Sequence, residues 1–226
     1  MTLAAIMKNF TILILLFLFS CKTLNPAKDI LDTEHSEILN YKLEKIDTLV
    51  DIGCGQGSFS KEISHLYPNL FFILEDLPKL SVFVKKGDTT NCKKVDTRTE
   101  IKNRLRNNKY TPKLENKYSL IIGSDDSIPI LTGTCKRVLC RKTLHEFKNK
   151  IKMSSELSRI LSSDGVLTIV EKEPKYFGEK DIFCLNNYLS RQEIINILRP
   201  LKLQSATSVI YKYEGEQKFN IYNFIK

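Results

Sequence analysis

Asp51-Ile52-Gly53-Cys54-Gly55-Gln56-Gly57 places an acid and then three glycines at alternate positions, at the end of the apolar run 48–52. Side chains there would obstruct a ligand, whereas glycines let the chain turn sharply and let backbone N–H groups approach a nucleotide. A dinucleotide fingerprint, GxGxxG, needs glycine or alanine at position 58, where this chain has Ser58. That argues against NAD, and no Tyr-Lys or zinc constellation of an oxidoreductase stands out. The six cysteines, at 21, 54, 92, 135, 140 and 184, lack paired CxxC spacing. Neither a structural zinc site nor a disulfide framework is expected, and no metal is assigned.

The loop needs a strand before it and a helix after it. Residues 48–52 and 69–74 are short apolar runs that read as strands buried on both faces, and 58–66 between them reads as a helix closed by Pro68. Together they form a βαβ unit. Upstream, Ile38, Leu39, Leu43 and Ile46 recur at helical spacing, which predicts a helix over 36–46 after a polar linker at 24–33. Later strands are predicted at 118–123, 138–141 and 165–170, with helices at 148–161 and 191–198. Residues 202–213 and 218–225, around Glu214-Gly215-Glu216, read as an antiparallel hairpin. The stretch 85–117 carries eleven Lys or Arg against four Asp or Glu and interrupts this rhythm as a basic insertion, with one helix predicted near 99–107. It is either a solvated elaboration, a lid or a polyanion contact.

With these elements in place, the chain resembles the class I S-adenosylmethionine-dependent methyltransferases, whose first motif is an acid followed by GxGxG. Further on the similarity narrows to the small-molecule O-methyltransferases. Glu75-Asp76-Leu77-Pro78 is similar to their D-L-P signature, and Gly123-Ser124-Asp125-Asp126-Ser127-Ile128-Pro129 to their segment after the third strand. Val138 to Phe147, containing Leu144-His145-Glu146, resembles the fourth-strand motif, and Asp164 to Glu171 resembles the fifth. The resemblance implies an α/β fold, a Rossmann-like seven-stranded mostly parallel sheet with helices on both faces and a C-terminal antiparallel hairpin. It also implies S-adenosylmethionine as cofactor and a small-molecule acceptor. Asp51, Gly53, Gly55 and Gly57 would hold the amino-acid end of the cofactor. Asp76, or its neighbour Glu75, would accept from both ribose hydroxyls, the alternative for such an acid being a helix N-cap. Asp125 and Asp126 would flank the adenine. His145 would remove the proton from an acceptor hydroxyl, a task suited to a base of near-neutral pKa; the alternative is a structural histidine. His35 and His65 read as surface residues, and the cysteines beyond Cys21 as packing in or beside the sheet. Only about 25 residues separate Cys21 from the first strand, too few for the substrate domain of the phenolic O-methyltransferases, and the acceptor surface stays unassigned.

Residues 10–19, F-T-I-L-I-L-L-F-L-F, follow Lys8 and precede Ser20-Cys21. Ten apolar positions are too few to span a bilayer but suit a secretory signal. Leu18-Phe19-Ser20-Cys21 resembles a bacterial lipobox, with Phe19 in place of the usual small residue. The expectation is a signal peptide over 1–20, a lipidated linker over 21–34 and the methyltransferase-like domain over 35–226, held extracytoplasmically on a membrane through Cys21. The alternatives are a buried N-terminal helix or a plain anchor, and a cytoplasmic address. Supply of S-adenosylmethionine is cytoplasmic, so an exported lipoprotein that keeps the fold as a non-catalytic ligand- or partner-binding domain is the second reading. The 226 residues suit one globular domain. A net charge of +9 is modest for a dedicated nucleic-acid binder.

Overall fold

A computed structural model describes residues 26–43, 48–55, 57–77, 118–212 and 215–226. The expected signal peptide, Cys21, Cys92 and the basic insertion lie outside them. The elements are α1 (Pro26–Leu39), β1 (Thr48–Ile52), α2 (Ser58–Leu66), β2 (Phe71–Asp76), β3 (Tyr118–Ile122), β4 (Cys135–Arg141), α3 (Lys150–Ile160), β5 (Leu161–Lys172), α4 (Arg191–Ile197), β6 (Lys202–Tyr211) and β7 (Gln217–Ile225). The strands form one seven-stranded sheet in the order β3-β2-β1-β4-β5-β7-β6. Neighbours are parallel except at β7, which runs antiparallel to both β5 and β6. The mostly parallel sheet with a C-terminal antiparallel hairpin is therefore present.

Both faces are covered, as strands with near-continuous apolar sequence require. Val50, Ile52, Val138, Cys140, Leu167 and Ile169 pack with Met153 and Leu157 of α3 and Ile194 of α4. On the other face, Leu49, Phe72, Leu74, Leu139 and Val170 pack with Ile38 of α1 and Ile63 of α2.

The first helix differs from its expected position. It begins at Pro26, inside the expected linker, and ends at Leu39 rather than continuing to residue 46. Proline suits a first helical turn because its missing N–H is unpaired there anyway. The chain leaves the helix through Asn40 and Tyr41, whose N–H groups reach back only three residues, and Lys42 has a left-handed φ of 53°. Tyr41 and Leu43 are consequently buried by the turn, while Leu39 is 64% exposed. Strand β2 reaches Asp76, two residues beyond the predicted end, because Glu75 pairs with Ile52 and Asp76 with Ile122. Cys184, expected in or beside the sheet, instead lies in the loop between β5 and α4, whereas Cys135 and Cys140 lie in β4 and are buried.

Candidate functional site

The parallel strands β1 to β4 end along one edge of the sheet, where open α/β sheets bind ligands. After β1, Gly53 has a φ of 68°, a conformation disfavoured for any residue bearing a side chain. A Cβ at Gly53 would also overlap the Thr143 side chain, which donates to the Gly53 carbonyl at 3.3 Å and the Arg141 carbonyl at 2.9 Å. Gly55, with a φ of 55°, has open space where its side chain would be. Gly57, with a φ of 70°, is the N-cap of α2. The glycine loop thus has two kinds of position, one closed against Thr143 and one open.

Four carboxylates surround this turn. Asp51 is buried and accepts from the Ser60 hydroxyl of α2; burial raises its pKa to about 6, against the lowering effect of that bond. Asp76 accepts from the N–H of Gly55 and from that of Leu77, both at 2.6 Å, and burial raises its pKa despite these bonds. Glu75 accepts from the Gly53 N–H at 3.4 Å; burial, then the neighbouring Asp76, raises its pKa to about 7. Its side chain lies against Gly123, where a Cβ would overlap the Glu75 carboxylate. Glu146 is also raised, chiefly by burial.

Glu75, Asp76 and Glu146 line a cavity of about 460 Å³, within the range of small-ligand sites. Gly53, Glu75, Asp76 and Leu77 line it from β1 and β2; Gly123, Ser124 and Asp125 from the end of β3; and Thr143, Glu146, Phe147 and Lys148 from the end of β4. Met153 of α3 and Cys184 and Asn186 of the β5–α4 loop complete the lining. Of the residues singled out from the sequence, Gly53, Glu75, Asp76 and Asp125 meet here. Asp126 points to the surface, where it pairs with Lys152 at 2.7 Å, and Asp125 pairs with Lys148. Asp51 lies beneath the loop on Ser60 and not on the cavity wall.

His145 sits in a 3-10 turn, Leu144–Glu146, and is 2% exposed. Its Nδ1 lies 2.7 Å from Glu171 Oε2 at the end of β5, and its Nε2 is buried without a hydrogen-bond partner. The ring also meets Tyr188 at 5.4 Å between centroids. Burial acts against the charged imidazole, but Glu171 outweighs it and the net pKa is raised. Glu171 belongs to the fifth-strand motif, yet its partnership with His145 is invisible in the sequence. So are the cavity contacts of Thr143, Cys184 and Asn186, since no local pattern marks them. His145, Asp181 and Cys184 offer donor atoms within 4.8 Å of one another. Asp181, however, already accepts from the N–H groups of Phe183 and Cys184 and from the Tyr188 hydroxyl, bonds that anchor its own loop.

A family model described as an O-methyltransferase domain matches residues 22–98. None of the curated proteins matches the chain. Among solved structures, a SAM-dependent methyltransferase from Aquifex aeolicus is 15% identical with a TM-score of 0.62, covering 90% of this chain and 100% of that one. One from Methanosarcina mazei is 14% identical at 0.62, covering 84% and 96%. The [4+2]-cyclase SpnF is 12% identical at 0.63, covering 84% and 79%. The fold is thus the one found in SAM-dependent methyltransferases, and the cyclase shows that different chemistry occurs on it.

Proposed function

We propose that this chain is an S-adenosylmethionine-dependent methyltransferase acting on a small-molecule hydroxyl acceptor. The observation that carries the reading is the joining of Gly55 N–H to the carboxylate of Asp76, which lines a ligand-sized cavity. The O-methyltransferase family model over residues 22–98 supports it.

The glycine loop offers backbone to the amino-acid end of the cofactor, with Asp51 and Ser60 bracing it from below. Asp76 accepts from the ribose hydroxyls, Glu75 being its rival, and the segment Gly123-Ser124-Asp125 flanks the adenine, with Asp126 turned away from it on Lys152. When bound, the cofactor supplies an electrophilic sulfonium methyl. His145 is the candidate base: Nδ1–H donating to Glu171 leaves the Nε2 lone pair for the acceptor proton. Because that atom is buried and off the cavity lining, the acceptor must shift the neighbouring wall residues Glu146 and Cys184 to reach it. Orienting the acceptor oxygen in line with the methyl carries much of the remaining rate.

Calorimetry with S-adenosylhomocysteine tests the cofactor site. Asp76→Ala is expected to weaken binding by roughly 1.5–3 kcal/mol, the scale of hydrogen bonds to a charged group. Unchanged affinity in Asp76→Ala together with loss in Glu75→Gln moves the ribose to Glu75; no binding by the unaltered chain refutes the reading. If Glu75 is the carboxylate that accepts from the ribose hydroxyls, binding favours its ionised form, and with burial raising its pKa to about 7 that form is only partly populated at neutral pH. Binding should therefore release protons, measurable in buffers of different ionisation enthalpy, and affinity should fall as the pH drops below about 7.

The run 10–19 and Cys21 support a further reading, in which the chain is a lipoprotein anchored outside the cytoplasm. Among the described residues, no helix is long and apolar enough to cross a membrane. Mass spectrometry of the native N-terminus should find a chain starting at acylated Cys21; retention of residues 1–20 would overturn this. If the exported chain also fails to bind S-adenosylhomocysteine, the fold serves as a non-catalytic binding domain.

A further inference from the structure

The loop between β5 and α4 holds large apolar side chains in water. Phe177 is 99% and Phe183 88% exposed, and Tyr176, Ile182 and Leu185 are exposed beside them. Such a cluster within ten residues is unlike the scattered apolar residues of an ordinary surface. It is also a built display. The Glu179 carboxylate accepts from Lys172 Nζ at 2.6 Å and from the Lys175 N–H at 2.5 Å. Asp181 ties the Phe183 and Cys184 N–H groups to the Tyr188 hydroxyl, and Lys180 bridges to Asn187 across the loop.

The charges are sorted in a telling way. Of the loop's acids, Glu179 and Asp181 are spent on these internal bonds and Glu173 pairs with Lys218 of β7, while the side chains of Lys175 and Lys180 are exposed among the apolar residues. The outward surface is therefore aromatic and cationic. Pairing it with a second copy would bring lysine against lysine. An anionic bilayer offers both an apolar interior for the rings and phosphates for the lysines.

We propose that the loop 175–185 is a membrane-docking surface, seated on an anionic bilayer with Phe177 and Phe183 entering the headgroup–acyl boundary. The inference stands on this loop and not on the methyltransferase reading. Because Cys184 and Asn186 also line the cavity, docking places the cavity wall beside the bilayer.

The chain contains no tryptophan, so Phe183→Trp in the full chain gives a single fluorescent reporter. With vesicles of equal phosphatidylglycerol and phosphatidylcholine, its emission should shift to the blue and be quenched by brominated acyl chains. Adding Lys175→Glu and Lys180→Glu should weaken the partition by roughly tenfold or more. The control Leu131→Trp, at another exposed position, should stay water-like. If vesicle-bound protein shows an unquenched Phe183→Trp signal, the membrane is reached through some other segment and the proposal fails. It fails equally if the emission is already blue-shifted without vesicles and ignores them, since the patch is then covered by this chain or a second copy. Calorimetry with S-adenosylhomocysteine on the same variant reads the cofactor site separately.

Discussion

His145→Ala is expected to lower methyl transfer to a hydroxyl acceptor by about 10²–10⁴-fold, the usual worth of general-base assistance. Affinity for S-adenosylhomocysteine should stay nearly constant, because His145 is not on the cavity wall beside Glu75 and Asp76. The pH profile adds a second readout. The imidazole must be neutral to accept a proton, and Glu171 raises its pKa above the ordinary histidine value. The rising acidic limb of turnover should thus lie above that value and move down in Glu171→Gln, where the stabilising carboxylate charge is gone. Transfer rates are measured with labelled S-adenosylmethionine. Loss of folding stability with little kinetic change would identify a structural histidine, held by Glu171 and Tyr188, and would point to nitrogen or carbon acceptors.

The largest stability loss is expected at Glu37. Its carboxylate is fully buried, accepts from Arg141 Nε at 2.7 Å and Nη2 at 3.2 Å, and takes the hydroxyls of Tyr41 and Tyr211. Arg141 also stacks over Phe59 of α2 at 3.7 Å. Glu37→Ala leaves the arginine buried and uncompensated, at a cost of about 3–5 kcal/mol, read as a lower denaturant midpoint at unchanged slope. Replacing both partners, Glu37→Leu with Arg141→Met, should recover most of it, because desolvating two charges offsets much of their attraction. Burial raises the Glu37 pKa, but Arg141 and the tyrosine hydroxyls outweigh it and hold the value below the ordinary carboxylate range. The contribution is present above that range and lost as the pH falls below it. Full stability in Glu37→Ala would refute this account of the clamp.

What could be read in advance was what is local. Strand 48–52 and helix 58–66 occupy their predicted positions because an apolar run, a glycine turn and Pro68 define both ends within twenty residues. Glu75 and Asp76 were legible for the same reason, lying at the end of the next strand. Helix α1 was displaced because Leu43 continues the helical spacing on paper, while the chain turns at Lys42 to bury it. The His145–Glu171 pair spans 26 residues and follows from the β4–β5 register, with Arg141 opposite Val170. No periodicity encodes that neighbourhood. Cys184 and Asn186 reach the cavity through a loop whose path depends on Asp181 and Glu179 forming their internal bonds.

The Glu37 clamp also has a consequence in time. Apart from the nearby Tyr41, its partners come 104 residues later, at Arg141, and 174 residues later, at Tyr211. At about 5–20 residues per second of synthesis, roughly 9–35 s separate translation of Glu37 from that of Tyr211. Helix α1 can adopt its final seat only when β6 is in the sheet, and β6 enters it through β7, so the seat of the N-terminal helix waits for the last strand of the chain. Any cellular factor that must handle that end before folding has this interval in which to act.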